Sequence, residues 1–230
     1  MKKIIFLCLL YFILSSCSNC DPTDTDPVLA NQSKAITRYD DCNFGIYKGV
    51  VINNSGIIEV NINNDLTIAA NLILDGTHYT FTTNEKATLN KEIIGLTFNS
   101  KVGSFDFNVK ENGQNPNITN ILIAEHPNCR MLVVKETASK QIECYEGRYT
   151  GNDAGVFNFI LTRNGPISGF VASKNNLEPM KINGFRKEDS LISGTFNDAT
   201  FEGILQENNS NGTWKNEKDQ AGIWVAKRKL

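Results

Sequence analysis

Cys42-Asn43-Phe44-Gly45-Ile46-Tyr47-Lys48-Gly49 recurs as Cys144-Tyr145-Glu146-Gly147-Arg148-Tyr149-Thr150-Gly151, a shared Cys-x-x-Gly-x-Tyr-x-Gly. Each copy runs on into a glycine and an alternating stretch, Gly56-Ile57-Ile58-Glu59-Val60-Asn61-Ile62 in the first and Gly155-Val156-Phe157-Asn158-Phe159-Ile160-Leu161 in the second. Both also close alike, Met131-Leu132-Val133-Val134-Lys135 against Ile223-Trp224-Val225-Ala226-Lys227. The opening match alone is short, but matching order and matching ends make an internal duplication the better reading. It predicts two related modules, residues 42–136 and 144–230, whose superposition sets Tyr47 on Tyr149 and Val133 on Val225. One continuous barrel built from both repeats is the alternative.

Within the repeats the period is two. Phe105, Phe107 and Val109 share one face while Ser104, Asp106 and Asn108 share the other, the pattern of a half-buried strand. Similar runs occur at Tyr79–Phe81, Ile121–Ile123, Ile167–Val171, Met180–Phe185, Leu191–Phe196 and Phe201–Leu205. Between such runs stand Asn54-Ser55-Gly56, Asp75-Gly76, Asn112-Gly113, Asn164-Gly165 and Asn211-Gly212, residue types that reach positive φ at low cost and favour tight hairpins. No window carries a 3.6-residue apolar stripe. The expected fold class is all-β, two antiparallel meanders that close as small barrels or fold over as sandwiches and so avoid bare edges.

Ahead of the repeats the chain changes character. Lys2 and Lys3 precede the apolar run Ile4 to Leu14, too short for the roughly 20 residues of a spanning helix, and small residues follow at Ser15 and Ser16. This is the layout of an export signal over residues 1–16. Its ending, Leu14-Ser15-Ser16-Cys17, resembles the lipobox of bacterial lipoproteins. That resemblance implies cleavage before Cys17, a thioether-linked diacylglycerol on its sulfur and an acyl chain such as palmitate on its amine. It also implies a protein lipid-anchored to a bacterial outer membrane, on either the periplasmic or the surface face. Residues 17–38 read as a flexible tether. Asp21-Pro22-Thr23-Asp24-Thr25-Asp26-Pro27 has two prolines, three carboxylates and no apolar periodicity, and it lacks the glycine and terminal glutamate of a calcium loop. Acids soon after the lipidated cysteine also resemble, more distantly, the surface-export signal of Bacteroidetes lipoproteins.

The second repeat resembles a small Gly-patterned β-barrel module found in exported bacterial proteins. The resemblance spans residues 144–228 and rests on Gly147-x-Tyr149-x-Gly151, Ile167-Ser168-Gly169, Ile182-Asn183-Gly184, Ile192-Ser193-Gly194, Phe201-Glu202-Gly203, Asn211-Gly212-Thr213-Trp214 and Gly222-Ile223-Trp224. In an apolar-x-Gly strand the glycine permits tight curvature while the bulky residue two positions earlier fills the interior. The first repeat keeps Ile93-Ile94-Gly95 and departs elsewhere. The resemblance brings no activity with it.

With 25 acidic and 23 basic residues the formal charge is −2. Loss of Lys2 and Lys3 with the signal makes it −4, the wrong sign for nucleic acid. Once Cys8 leaves with the signal and Cys17 takes the lipid, Cys20, Cys42, Cys129 and Cys144 remain. Export predicts at least one disulfide among them, with three pairings open. Cys42 and Cys144, at equivalent repeat positions, could meet across a pseudo-twofold axis, with Cys129 competing for either. No Cys-x-x-Cys remains for a metal, and no cofactor motif is present.

Chemistry is scarce. His78 reads as an exposed strand residue and His126, before Pro127, as a turn residue, so no Ser–His–acid set forms. No nucleophile elbow, phosphate loop or zinc helix occurs. Tyr145, Tyr149, Trp214 and Trp224 are the one binding hint: they could rim a barrel mouth for a small apolar or glycan ligand, or simply fill the core. The expected function is a membrane-tethered, non-catalytic binding protein. A structural component packing against another envelope protein is the second reading, and a hydrolase with an unrecognised acid pair the third.

Overall fold

The computed structural model describes residues 29–230 apart from 163–164 and 188–189. The signal, Cys17, Cys20 and Asn164 therefore lie outside the described residues. Among the described residues sixteen strands run in chain order: β1 Gly45–Ile52, β2 Gly56–Ile62, β3 Ile68–Leu74, β4 Thr77–Thr82, β5 Ile93–Ser100, β6 Gly103–Val109, β7 Asn117–Ile123, β8 Arg130–Glu136, β9 Ile142–Gly151, β10 Gly155–Thr162, β11 Pro166–Ser173, β12 Asn176–Arg186, β13 Leu191–Phe196, β14 Ala199–Gln206, β15 Asn209–Asn216 and β16 Ala221–Arg228. They form two eight-stranded antiparallel meanders in the same order. β7-β6-β5-β4-β3-β2-β1-β8 makes one sheet, and β10 to β16 with β9 closes the other into a barrel.

Glycine placement separates the closed module from the open one. In the barrel every strand turns at least one glycine inward: Gly147 and Gly151 on β9, Gly155 on β10, then Gly169, Gly184, Gly194, Gly203, Gly212 and Gly222 on β11 to β16. The space is taken by rings from neighbouring strands. Phe201 packs against Gly184 and Gly194, the Trp224 indole against Gly203, and the Trp214 indole against Gly222. Gly212 is thus an interior residue of β15, and the Asn211-Gly212 pair read as a turn lies mid-strand. The actual β14–β15 turn uses Glu207 at positive φ. By contrast, Asp75 and Gly76 do make the β3–β4 hairpin, both at positive φ.

The first module is filled instead by Tyr47, Val60, Leu72, Phe81, Phe98, Phe105, Phe107 and further aliphatics, and it stays short of closure. β4 meets β5 through a single pair, Thr82↔Asn99, and β7 has no ladder to β8. Gly95 of the Ile93-Ile94-Gly95 run serves a bulge at φ 68° and leaves Ile94 exposed.

Ladder register corrects the expected superposition. β1 pairs Val50 with Ile57, and β9 pairs Arg148 with Val156. Matching the two hairpins therefore sets Tyr47 on Tyr145 and Gly49 on Gly147. On the other edge Tyr47 faces Lys135 and Tyr145 faces Arg228, which sets Val133 on Ala226. The opening match was four residues out, and the closing match one, which had set the exposed Val225 on the buried Val133. A slip of four keeps every side chain on its own face of a strand, so the inward tyrosine-glycine rhythm matches in either register.

The modules meet through equivalent strands. Val50 and Ile57 pack with Ile142, Cys144 and Ile160 in a buried cluster between the sheets. Asn158 reaches across to donate to the carbonyls of Val51 and Asn54, at 3.0 and 2.9 Å, while its own oxygen takes the Gly147 amide. Beside this lies a buried ion pair, Lys48 Nζ to Glu136 Oε2 at 2.6 Å. Glu136 also accepts from the Ile142 and Lys34 amides, tying both modules and the N-terminal segment to one carboxylate. Part of the expected tether is accordingly packed on the body. The Ala30 carbonyl accepts from Gln141 and Arg228, and Asn64 bonds both Ile36 and Lys34.

The disulfide expectation is corrected among the described residues, where Cys42, Cys129 and Cys144 are all free and buried. The reason is position. Cys144 turns outward from the barrel into the cluster between modules, whereas Cys42 precedes β1 beside the Tyr39 and Phe44 carbonyls and Cys129 packs in the first core. Cys42 and Cys144 are not register-equivalent either, so no axis relates them. Burial raises the Cys144 thiol and pushes Cys129 up to about 12, so both stay protonated and unreactive at neutral pH. In a form lacking Cys17 and Cys20, a thiol reagent should find no reactive group in the native protein and three after denaturation without reductant. Fewer than three in the denatured state would mean that a bridge forms.

Candidate functional site

The four aromatics read as a ligand rim lie in the barrel core, each between 1 and 4 % exposed. Tyr145 stacks on Phe159 with centroids 4.7 Å apart, Trp224 stacks on Phe157 at 5.0 Å, and Tyr149 meets Trp214 edge-on at 5.7 Å. Their polar tips are satisfied locally: Trp214 donates to the Thr150 carbonyl, Trp224 to that of Thr213, Tyr149 to Asp153 and Tyr145 to Glu143. A buried indole or phenol with its donor satisfied packs as a hydrophobe. Trp214 and Tyr149 sit under shallow clefts of about 530 and 390 Å³ on the barrel wall.

Tyr145 leads elsewhere. It closes the floor of a cleft of about 620 Å³ at the end of the barrel nearest the N-terminal segment. Arg186 at the end of β12 and Arg228 at the end of β16 supply the cations, and Glu143 and Glu207 the carboxylates. Arg228 is 5 % exposed and already engaged. Its guanidinium donates to the Ala30 and Leu230 carbonyls and stands 3.7 Å from Glu143. Burial first, then the Glu143 charge and hydrogen bond, drives the Tyr145 phenol far above its ordinary value, while the charges of Arg228 and Arg186 pull the other way. The Arg186 guanidinium thus acts on the cleft floor. Carboxamides of Asn31, Gln141 and Asn208 and the Ser190 hydroxyl complete the polar lining, with Leu205 its aliphatic side chain.

The same end of the first module is shut. There Lys135, the register partner of Tyr47, donates to the Tyr39 and Cys42 carbonyls, and the Tyr47 hydroxyl donates to the Asn43 carbonyl at 2.8 Å. A 3-10 turn, Thr37–Tyr39, and the residues after it fill the end, with the buried Asn43 side chain bonded to Thr88 and Asn90. The second module has only the linker between Glu136 and Ile142 ahead of it, too short to make such a plug. A tyrosine facing a basic residue is therefore common to both ends, and only one end is open.

None of the cleft's polar residues except Tyr145 was singled out from sequence. Arg186, Glu207 and Arg228 look like ordinary strand-end charges, and the signal that would have found them is the Tyr47–Lys135 and Tyr145–Arg228 correspondence, hidden by the four-residue slip. Elsewhere, His78 is exposed on β4, and His126 bonds Asn54 at 3.1 Å and lies 3.7 Å from Asp75. Among the described residues no three His, Cys, Asp or Glu side chains gather as a metal site, and no helix is long and apolar enough to cross a membrane. No protein family, curated protein or solved structure matches the chain.

Proposed function

We propose that this is a lipid-tethered envelope protein that acts by binding, with Cys17 as the anchor and the cleft over Tyr145 as the binding site. The observation that carries binding is the contrast between module ends, one plugged by its own chain and the other left as a polar cleft of about 620 Å³, within the size range of small-molecule sites. The filled barrel interior favours a polar ligand at this end over an apolar one inside. Anchoring rests on Lys2, Lys3, the apolar Ile4 to Leu14 and the Leu14-Ser15-Ser16-Cys17 ending, with the bacterial outer membrane as the location and the lipid as the membrane contact. Ala30 docks beside the cleft, and the residues from Cys17 to Ala30 span at most about 45 Å when extended. The lipid would hold the site close to the bilayer. Cys17→Ala is expected to release the protein from the membrane fraction or to block its processing. Unchanged processing with full membrane retention would overturn the anchor.

Assembly with another envelope protein is the second reading, favoured by Ile223 and Val225. These stand on one outer face of β16, 58 and 41 % exposed. Against hydrolysis, the carboxylate of Glu143 is held by Tyr145 and Arg228, leaving Glu207 without a second free acid among the described residues of the cleft. A panel of esterase, glycosidase and peptidase substrates should give no turnover. Turnover that disappears in Glu207→Gln would replace binding with catalysis.

A further inference from the structure

Building on the binding reading, we infer that the cleft over Tyr145 takes a small acidic saccharide, its carboxylate on the Arg186 guanidinium and its hydroxyls on the surrounding carboxamides and carboxylates. Of the two cations, Arg228 is spent on the Ala30 and Leu230 carbonyls and on Glu143. Arg186 is only half-buried and lines the opening. Its guanidinium has no ion pair or hydrogen bond among the described residues, which makes it the group placed to meet an incoming anion, and a guanidinium receives a carboxylate through two parallel hydrogen bonds.

The rest of the lining selects hydroxyls. Each sugar hydroxyl both donates and accepts, and the carboxamides of Asn31 and Asn208, the Ser190 hydroxyl and the Glu207 carboxylate offer both roles at short range. Leu205 alone gives aliphatic surface, so a lipid or other apolar ligand would strand polar groups without partners. A peptide strand has no edge to join here, because β9 and β16 are hydrogen-bonded to each other through to Arg228↔Tyr145. Glu207, exposed on the rim, accepts from a hydroxyl but repels a second carboxylate, which favours ligands with one acid near Arg186. Asn31 places the N-terminal segment in the wall, so the site is complete only with residues 29–36 docked.

Calorimetric titration of detergent-solubilised mature protein with an aldobiouronic acid, one glucuronate joined to one galactose, tests this, with neutral galactobiose and trialanine as the other arms. Saturable binding of the acidic sugar is expected, at least tenfold tighter than either alternative and weakening with added salt. Arg186→Gln should cost at least tenfold in affinity with an unchanged melting temperature, and Arg186→Lys should recover only part of it. Glu207→Gln should tighten the acidic sugar. Equal affinity for the neutral sugar, preference for the peptide, or full binding by Arg186→Gln overturns the inference, as does no binding in any arm. If that happens while Cys17-dependent membrane retention persists, the anchored-protein reading stands. Cleavage of the aldobiouronic acid in the same cell would instead overturn the non-catalytic reading.

Discussion

Lys48→Met is expected to lower the unfolding free energy by about 3–5 kcal/mol, the usual penalty for removing one partner of a buried ion pair. The Lys48 and Glu136 side chains are 3 and 0 % exposed, so solvent cannot take over from the lost ammonium. Glu59 sits opposite Lys48 in the β1–β2 ladder, and its enclosed Oε2 has no hydrogen-bond partner among the described residues. Without Lys48, two carboxylates would share the junction with no cation between them. The double variant Lys48→Met/Glu136→Gln should regain part of the loss, because the glutamine oxygen still accepts from an amide and the charge is gone. Denaturant unfolding followed by tryptophan fluorescence reports mainly on the second module, which holds Trp214 and Trp224, and circular dichroism reports on both. The two curves should coincide in the wild type and separate in Lys48→Met, since this pair joins β1 and β8 to Ile142. A loss below about 0.5 kcal/mol, the scale of a surface substitution, would show that the pair is solvated.

Trp224→Ala should be as damaging, by about 3–5 kcal/mol, the range for deleting a large buried aromatic. The ring stacks on Phe157, meets Phe159 and Phe201 edge-on, and lies over Gly203. A glycine neighbour cannot move a side chain into the space left behind, so the cavity persists. The converse test is Gly203→Ala. A Cβ at this position would run into the Trp224 ring and the Asn211 carbonyl, and overpacking of this kind costs about 1–3 kcal/mol. Trp224→Ala combined with Gly203→Ala should then be less than additive, because the new methyl occupies part of the cavity. Additive losses would mean that ring and glycine do not share the space.

The period-two alternation of Phe105, Phe107 and Val109 determined strand and inward face, since a strand buried on one side permits no other pattern. Duplication was legible because both repeats needed the same opening and closing strands. Apolar-x-Gly told of a narrow barrel, each glycine making room for a ring such as Phe201 or Trp224. Register was another matter. Tyr47 matches Tyr149 by motif and Tyr145 by ladder, and only hydrogen-bond pairing distinguishes two frames that share the same facing. Hence the cleft was hidden: Arg186, Glu207 and Arg228 come from three separate strand ends or turns, and nothing local brings them together. Closure of one module and not the other, the plug at Tyr39 to Asn43, the docking of Ala30, and the burial of Cys42, Cys129 and Cys144 as lone thiols likewise depend on residues far apart in sequence. Alternation and spacing fix what each strand presents to its faces; which ends meet, and which end stays open, is set by packing between strands distant in the chain.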